Sequence, residues 1–205
     1  TSVHAFATDP ERGVFLLLIM GVFTGGALVL YAARASVMEA KGVFGMVSRE
    51  SALVMNNILL AVAAFIVFIG TMWPLFSEML FDRKLSVGAP WFNAAFTPIM
   101  ILLGLILPLG AMLPWKRGIL ARVGGQLRFA LMLAVAIGAL FWAIQTGRSA
   151  LGPVGLLLGA WLIAGAATDL LSRTRKGEVL GRLRRLPRAD WGKAVAHAGL
   201  GVTMA

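Results

Sequence analysis

The chain has 205 residues, 59% of them hydrophobic and only 14% charged, against roughly 25% charged in an ordinary soluble domain. A mean hydropathy of +0.85 excludes a soluble globule. With no Cys the sequence carries no disulfide framework, no Cys-ligated metal and no thiol redox centre. Any metal or haem ligation falls to His4, His197 or the ten Met.

Uncharged stretches run Gly13–Ala33, Ser51–Ser77, Leu85–Trp115, Phe129–Gly147 and Ser149–Thr168, each about the ~20 residues that cross ~30 Å of hydrocarbon as a helix. Stretches such as Val14–Met20 and Ile99–Leu107 are apolar on both would-be strand faces, which excludes a barrel of alternating strands. The expected fold is all-α: a polytopic transmembrane helical bundle with five complete spans and the start of a sixth. The spans are set at 13–33, 51–74, 94–115, 129–147, 149–169 and 194–205, the last cut short, within one transmembrane domain over residues 1–205. The chain reads as a fragment of a longer one. Residues 172–190 place Val179, Leu180, Leu183 and Leu186 at helical spacing among Arg and Lys, the pattern of an amphipathic helix on a cytoplasmic membrane surface.

Alternating the loops across the membrane puts Arg12, Arg83, Lys84 and Arg148 on one side and the other fifteen of the nineteen Lys and Arg on the opposite side. The positive-inside rule makes the richer side cytoplasmic. Residues 1–12 and 78–93 then lie outside. Trp73 and Trp91 fall near the outer interface, and Tyr31, Trp115 and Trp191 near the inner one, as an aromatic belt requires. The formal charge of +10 is accounted for by topology and anionic headgroups, so lipid and not nucleic acid is the expected polyanion.

Chemistry-bearing residues are few. The five predicted spans contain no Asp, Glu, Lys, Arg or His except Asp169 at an inner end, which counts against a proton- or ion-coupled carrier. Asn56 and Asn57 are adjacent amides one turn inside the second span; in lipid they need partners, either as interhelical glue or in a pocket wall. The segment Ser86-Val-Gly88-Ala-Pro90-Trp91-Phe92-Asn93 reads as a structured outer loop whose aromatic pair packs against headgroups or a flat ligand. Gly21-x-x-x-Gly25 and Gly155-x-x-x-Gly159 permit close helix packing. His4 lies on the outer side before Thr8, Asp9 and Pro10, a helix-opening group. His197 lies about one turn inside the last span among Ala194, Ala196, Ala198, Gly199 and Gly201, small residues that leave room beside an imidazole. It is a candidate haem or metal ligand or a satisfied core histidine.

Four local words, Thr1-Ser-Val-His4-Ala-Phe-Ala-Thr-Asp-Pro10, Val54-Met-Asn56-Asn57, the Gly88-Ala-Pro90 loop and Ala196-His197-Ala-Gly199, resemble the C-terminal half of the CcmF family, membrane haem lyase subunits of bacterial cytochrome c maturation. The resemblance implies that His4 is an axial ligand of the substrate haem and that His197 is one of two membrane histidines holding a structural haem b. It also implies thioether formation between haem vinyl groups and apocytochrome c on the periplasmic side of the bacterial inner membrane. The expected partners are a haem-carrying chaperone and an apocytochrome-binding thiol-redox subunit. The family's Trp-rich haem loop and the partners of both histidines have no counterpart in these residues. Two rivals remain at this stage, a non-catalytic membrane scaffold for assembly partners and a transporter of haem or another lipophilic substrate; copurified haem argues against the first and failure of directional vesicle uptake against the second.

Overall fold

The computed structural model describes residues 10–38, 42–147, 149, 151–174 and 179–205, and all regular structure among them is helical. His4, the capping residues Thr8 and Asp9, Arg148 and residues 175–178 lie outside the described residues. The chain divides into two compact units, residues 1–43 and 44–205.

The first unit contains α1 (Pro10–Arg34), opened by Pro10 and followed by a 3-10 turn, Ala35–Met38. Leu18, Phe23, Leu28 and Val29 are all exposed, and water does not tolerate such a surface on an isolated helix. Gly21, Gly25 and Gly26 meet nothing within 4 Å. Their packing potential is unused within the unit.

The second unit holds α2 (Arg49–Phe81), α3 (Ala89–Ala95), α4 (Thr97–Met112), α5 (Leu120–Ile144), α6 (Leu151–Ser172), α7 (Val179–Leu183) and α8 (Arg188–Met204). Among the described residues four helices are long and apolar enough to cross a membrane, and up to five spans result if α3 and α4, which meet at 41°, count as one broken span. Several helices overrun the apolar stretches. The second was expected at 51–74 but continues to Phe81, where Asp82 caps it in the left-handed conformation (φ 50°) that a short polar side chain tolerates. The 33 residues of α2 make about 50 Å of helix, longer than the hydrocarbon is thick.

Similarly, α5 starts at Leu120 and not at 129, because Arg122 and Arg128 are good helix formers whose long stems keep the charge near water. Across 172–190, where an amphipathic helix is expected, the described residues hold the end of α6, the five-residue α7, a turn and the start of α8. Pro187 (φ −54°, ψ 144°) caps α8, which begins at Arg188 and not at 194. Its missing N–H is harmless at that position.

The core lies between α5 and α6: Val123, Leu127, Ala130 and Ala134 of α5 are buried with Trp161 of α6 and Leu113, and Leu127 and Leu162 are nearly inaccessible. Glycines set the spacing. Gly138 admits Leu157, and Gly165 admits Pro108 of α4; a Cβ on either would come within 3 Å of its neighbour. The Trp161 indole donates from Nε1 to the Leu105 carbonyl (3.2 Å), tying α6 to α4. The Gly155-x-x-x-Gly159 pair is the seam with α8, since Cβ atoms there would meet the Met204 and Gly201 carbonyl oxygens. Phe65, Phe129, Leu133 and Leu140 remain exposed. An outward apolar surface around an inner seam of small residues is what a bilayer solvent selects.

Candidate functional site

Two segments distant in sequence, at the start of α2 and after α4, are stitched together. The Gly45 N–H donates to the Lys116 carbonyl (2.7 Å), the Arg49 N–H to the Pro114 carbonyl (3.0 Å) and the Gly118 N–H to the Val47 carbonyl (2.6 Å). Lys116, at φ 67°, is held there by its N–H donating to Glu50 Oε2 (2.8 Å), with its ammonium 3.5 Å from Glu50 Oε1. Arg49 is pinned between them. Its Nε donates to the Leu113 carbonyl (2.9 Å) and Nη2 to the Ala111 carbonyl (3.0 Å), while its guanidinium sits 5.2 Å from the Trp115 ring centre. It therefore satisfies the carbonyls that end α4, as a cation at a helix C-terminus does. Among the described residues no carboxylate pairs with it.

A second charged cluster joins α6 to α8. Asp169, 6% exposed, meets Lys193 through Oδ2 and Arg173 through Oδ1 (3.4 Å), and Arg173 also meets Asp190 (3.0 Å). Two acids and two bases thus compensate one another, as buried charge requires.

Between these clusters lies a groove of about 280 Å³ lined by Arg49, Asn56 and Leu53 of α2, Leu103, Ile106 and Leu107 of α4, and Lys193 and His197 of α8. Lys193 and His197 are four residues apart, so both project on one face, the imidazole about 6 Å further along the helix. His197 is half-buried. Among the described residues no three His, Asp or Glu converge on a metal-ion site, so His197 stands in the groove as a single nitrogen donor.

The structure brings only some of the anticipated residues together. Asn56 and His197 share the groove; Asn57 is exposed and accepts from Asn56 Nδ2 at 3.3 Å. Gly88, Pro90, Trp91, Phe92 and Asn93 lie farther along α2, where the aromatic pair meets Gly70, about 21 Å beyond Asn56 by helix length. Gly88 caps α3, and Pro90 occupies its first turn. The Trp91 and Phe92 rings, edge-on at 5.0 Å, close over Gly70 so tightly that a Cβ there would fall within 3 Å of both. This pair packs α3 onto α2. Of the small residues near His197, Ala194 and Gly201 are buried and Gly201 faces Gly159, Leu162 and Ile163 of α6, while Gly199 meets nothing within 4 Å.

Arg49, Lys193 and Asp169 enter the site although the sequence marked them only as charges at span ends. Two signals were present, the i,i+4 spacing of Lys193 and His197 and the solitary acid in the apolar run of α6.

No family model matches the chain, and no solved structure matches it. Over its full length it is 61% identical to the cytochrome c-type biogenesis protein ccl1 of Rhodobacter capsulatus, of which it covers 31%. It is 51% identical to CycK of Bradyrhizobium diazoefficiens, covering 32% of that protein, and, over 99% of its own length, 33% identical to CcmF of Escherichia coli, covering 31%. The chain thus spans about a third of the length of these relatives, in their C-terminal part. It belongs to the CcmF, CycK and Ccl1 family of cytochrome c-type biogenesis proteins.

Proposed function

We propose that this chain is the segment of a membrane haem lyase that holds haem from its histidines while c-type cytochromes are matured. The observation that carries the reading is the groove in which His197 stands among apolar side chains beneath two cations, Arg49 and Lys193. That donor set fits haem: an imidazole offers the axial nitrogen of a b-type centre, leucine and isoleucine side chains face a macrocycle, and guanidinium and ammonium groups suit its carboxylates. One imidazole makes half of a bis-histidine site. When bound there, the resident haem supplies a one-electron couple. Around it, this chain's residues orient the imidazole, exclude water with Leu53, Leu103 and Leu107, and hold the charged groups at the rim.

The relatives carry the name cytochrome c-type biogenesis protein, and we extend that role to this chain. In this reading α1, α2, the bent α3–α4 pair, α5 and α6 are five spans and α8 opens a sixth, forming one membrane domain. The Arg49 and Lys193 end faces the cytoplasm of the bacterial inner membrane, and His4 and the Gly88–Asn93 loop face the periplasm. There His4 ligates the iron of the substrate haem, whose vinyl groups take up apocytochrome cysteine thiols. A fixed ligand removes a search through orientations. A haem-carrying chaperone, an apocytochrome-binding thiol-redox subunit and the bilayer lipid are the partners.

The test is assembly of a c-type cytochrome by the full-length protein in cells lacking their own copy, scored by haem-stained gels. His4→Ala and His197→Ala should each abolish assembly while the protein still inserts, and only His197→Ala should remove the resident haem. Assembly at the wild-type rate by both variants would refute the reading.

A further inference from the structure

We propose that Arg49 and Lys193 form a carboxylate clamp that binds the two propionates of the haem held in the His197 groove. The inference rests on the haem reading above and adds the group that orients the macrocycle. Three observations support it. The groove is lined mostly by apolar side chains, and its two cations, Arg49 and Lys193, mark one end of it, each preceding the other polar lining residue of its helix, Asn56 on α2 and His197 on α8. An ionised carboxylate in hydrocarbon is costly unless paired, so a dicarboxylate amphiphile with an apolar body enters such a groove with its acids at that end. The cations are also held in place. Arg49 spends only Nε and Nη2 on the Ala111 and Leu113 carbonyls and, among the described residues, meets no carboxylate. A guanidinium has five N–H donors in a rigid fork. The remaining donors on Nη1 and Nη2 and an uncompensated charge are therefore left for an anion.

Lys193 lines the same groove from α8. Its ammonium contacts Asp169 Oδ2, which uses one of three donors and fixes the side chain at the mouth of the groove, four residues before His197. Asp169 is thus a positioning residue, acting through Lys193. Arg173 shares Asp169 and is itself bound to Asp190, so the acid does not draw Lys193 away with its full charge. The clamp sets which edge of the macrocycle faces the basic end, while His197 sets the iron.

The experiment titrates haem-depleted full-length protein in nanodiscs with haem and with haem dimethyl ester, whose propionates are blocked, following the Soret band. Wild-type protein should bind haem about tenfold or more tightly than the ester, since each charge-assisted pair contributes on the order of one decade. Arg49→Gln with Lys193→Gln should lose that preference by weakening haem and leaving the ester within about twofold. Arg49→Lys with Lys193→Arg should retain the preference, separating charge from the Arg49 backbone bonds. His197→Ala should weaken both ligands alike. Equal wild-type affinity for haem and ester, or equal weakening of both by the Gln pair, overturns the clamp. Unchanged binding of both ligands by His197→Ala overturns the haem reading itself.

Discussion

Asp169 shows how a single acid can organise one end of this chain. It is the one carboxylate inside the apolar run of α6, is 6% exposed, and touches Lys193 and Arg173. Replacing it leaves Lys193 partly buried without its counter-ion and Arg173 with Asp190 alone, whereas replacing an exposed partner such as Lys84 of the Glu78 pair removes little. Asp169→Ala should therefore lower the stability of the full-length protein by roughly 1–3 kcal/mol, read as a fall in the detergent-solubilised thermal midpoint. Lys84→Ala should leave that midpoint unchanged. A midpoint unaffected by Asp169→Ala would contradict the pairing. The sequence showed this acid only as a span-end residue, because its partners lie 4 and 24 positions ahead: Arg173 is local, but Lys193, and the Asp190 that shares Arg173, arrive through the turn at Pro187 and the return of α8.

At the scale of elements, the α6–α8 seam brings backbone against backbone. Gly159 and Gly201 oppose each other with carbonyl oxygens where Cβ atoms would stand, and Gly155 meets the Met204 carbonyl. No flexible side chain can yield there, since the obstacle is backbone. Gly159→Leu should force α6 and α8 apart at a cost of roughly 1–3 kcal/mol or more and carry Lys193 and His197 out of the groove with them. Limited proteolysis of the solubilised protein should then cut near Pro187 well before it cuts the wild type; an unchanged digestion pattern would refute the seam. The Gly155-x-x-x-Gly159 spacing marked this contact in the sequence, yet the same signal at Gly21 and Gly25 meets nothing within 4 Å. Small-residue spacing reveals where helices can approach and leaves open which ones do. Helix ends were less legible than helix centres, because hydropathy reads the hydrocarbon and not the helix. At Leu120–Arg128 the helix runs on through charged residues, while within 172–190 the described residues form only the short α7 ahead of the turn at Pro187.

For the whole molecule, the sequence already determined an all-helical membrane chain, since exclusion of charge over about 20 residues admits no other solution in lipid. The site was only half legible. Asn56 and His197 were marked by their chemistry, but Arg49 and Lys193 come from loops and helix ends 144 positions apart and looked like topology signals. The same cations serve orientation and site, so the account predicts where they face. In a chain without Cys, cysteines placed at Ser36 or Arg117 should resist a membrane-impermeant maleimide in cells with a permeabilised outer membrane, whereas one at Ser86 should react. The reverse pattern would invert the topology.

The central claim is that His197 ligates a resident haem from the groove at the basic end. It is tested most directly by the haem content and optical spectrum of the purified full-length protein carrying His197→Gly, with and without added imidazole. Glycine removes the donor while keeping the small-residue helix, so the account predicts loss of the b-type Soret absorbance and its return when imidazole takes up the vacated ligand position. A His197→Gly protein that retains wild-type haem and an unaltered spectrum without imidazole would contradict the account.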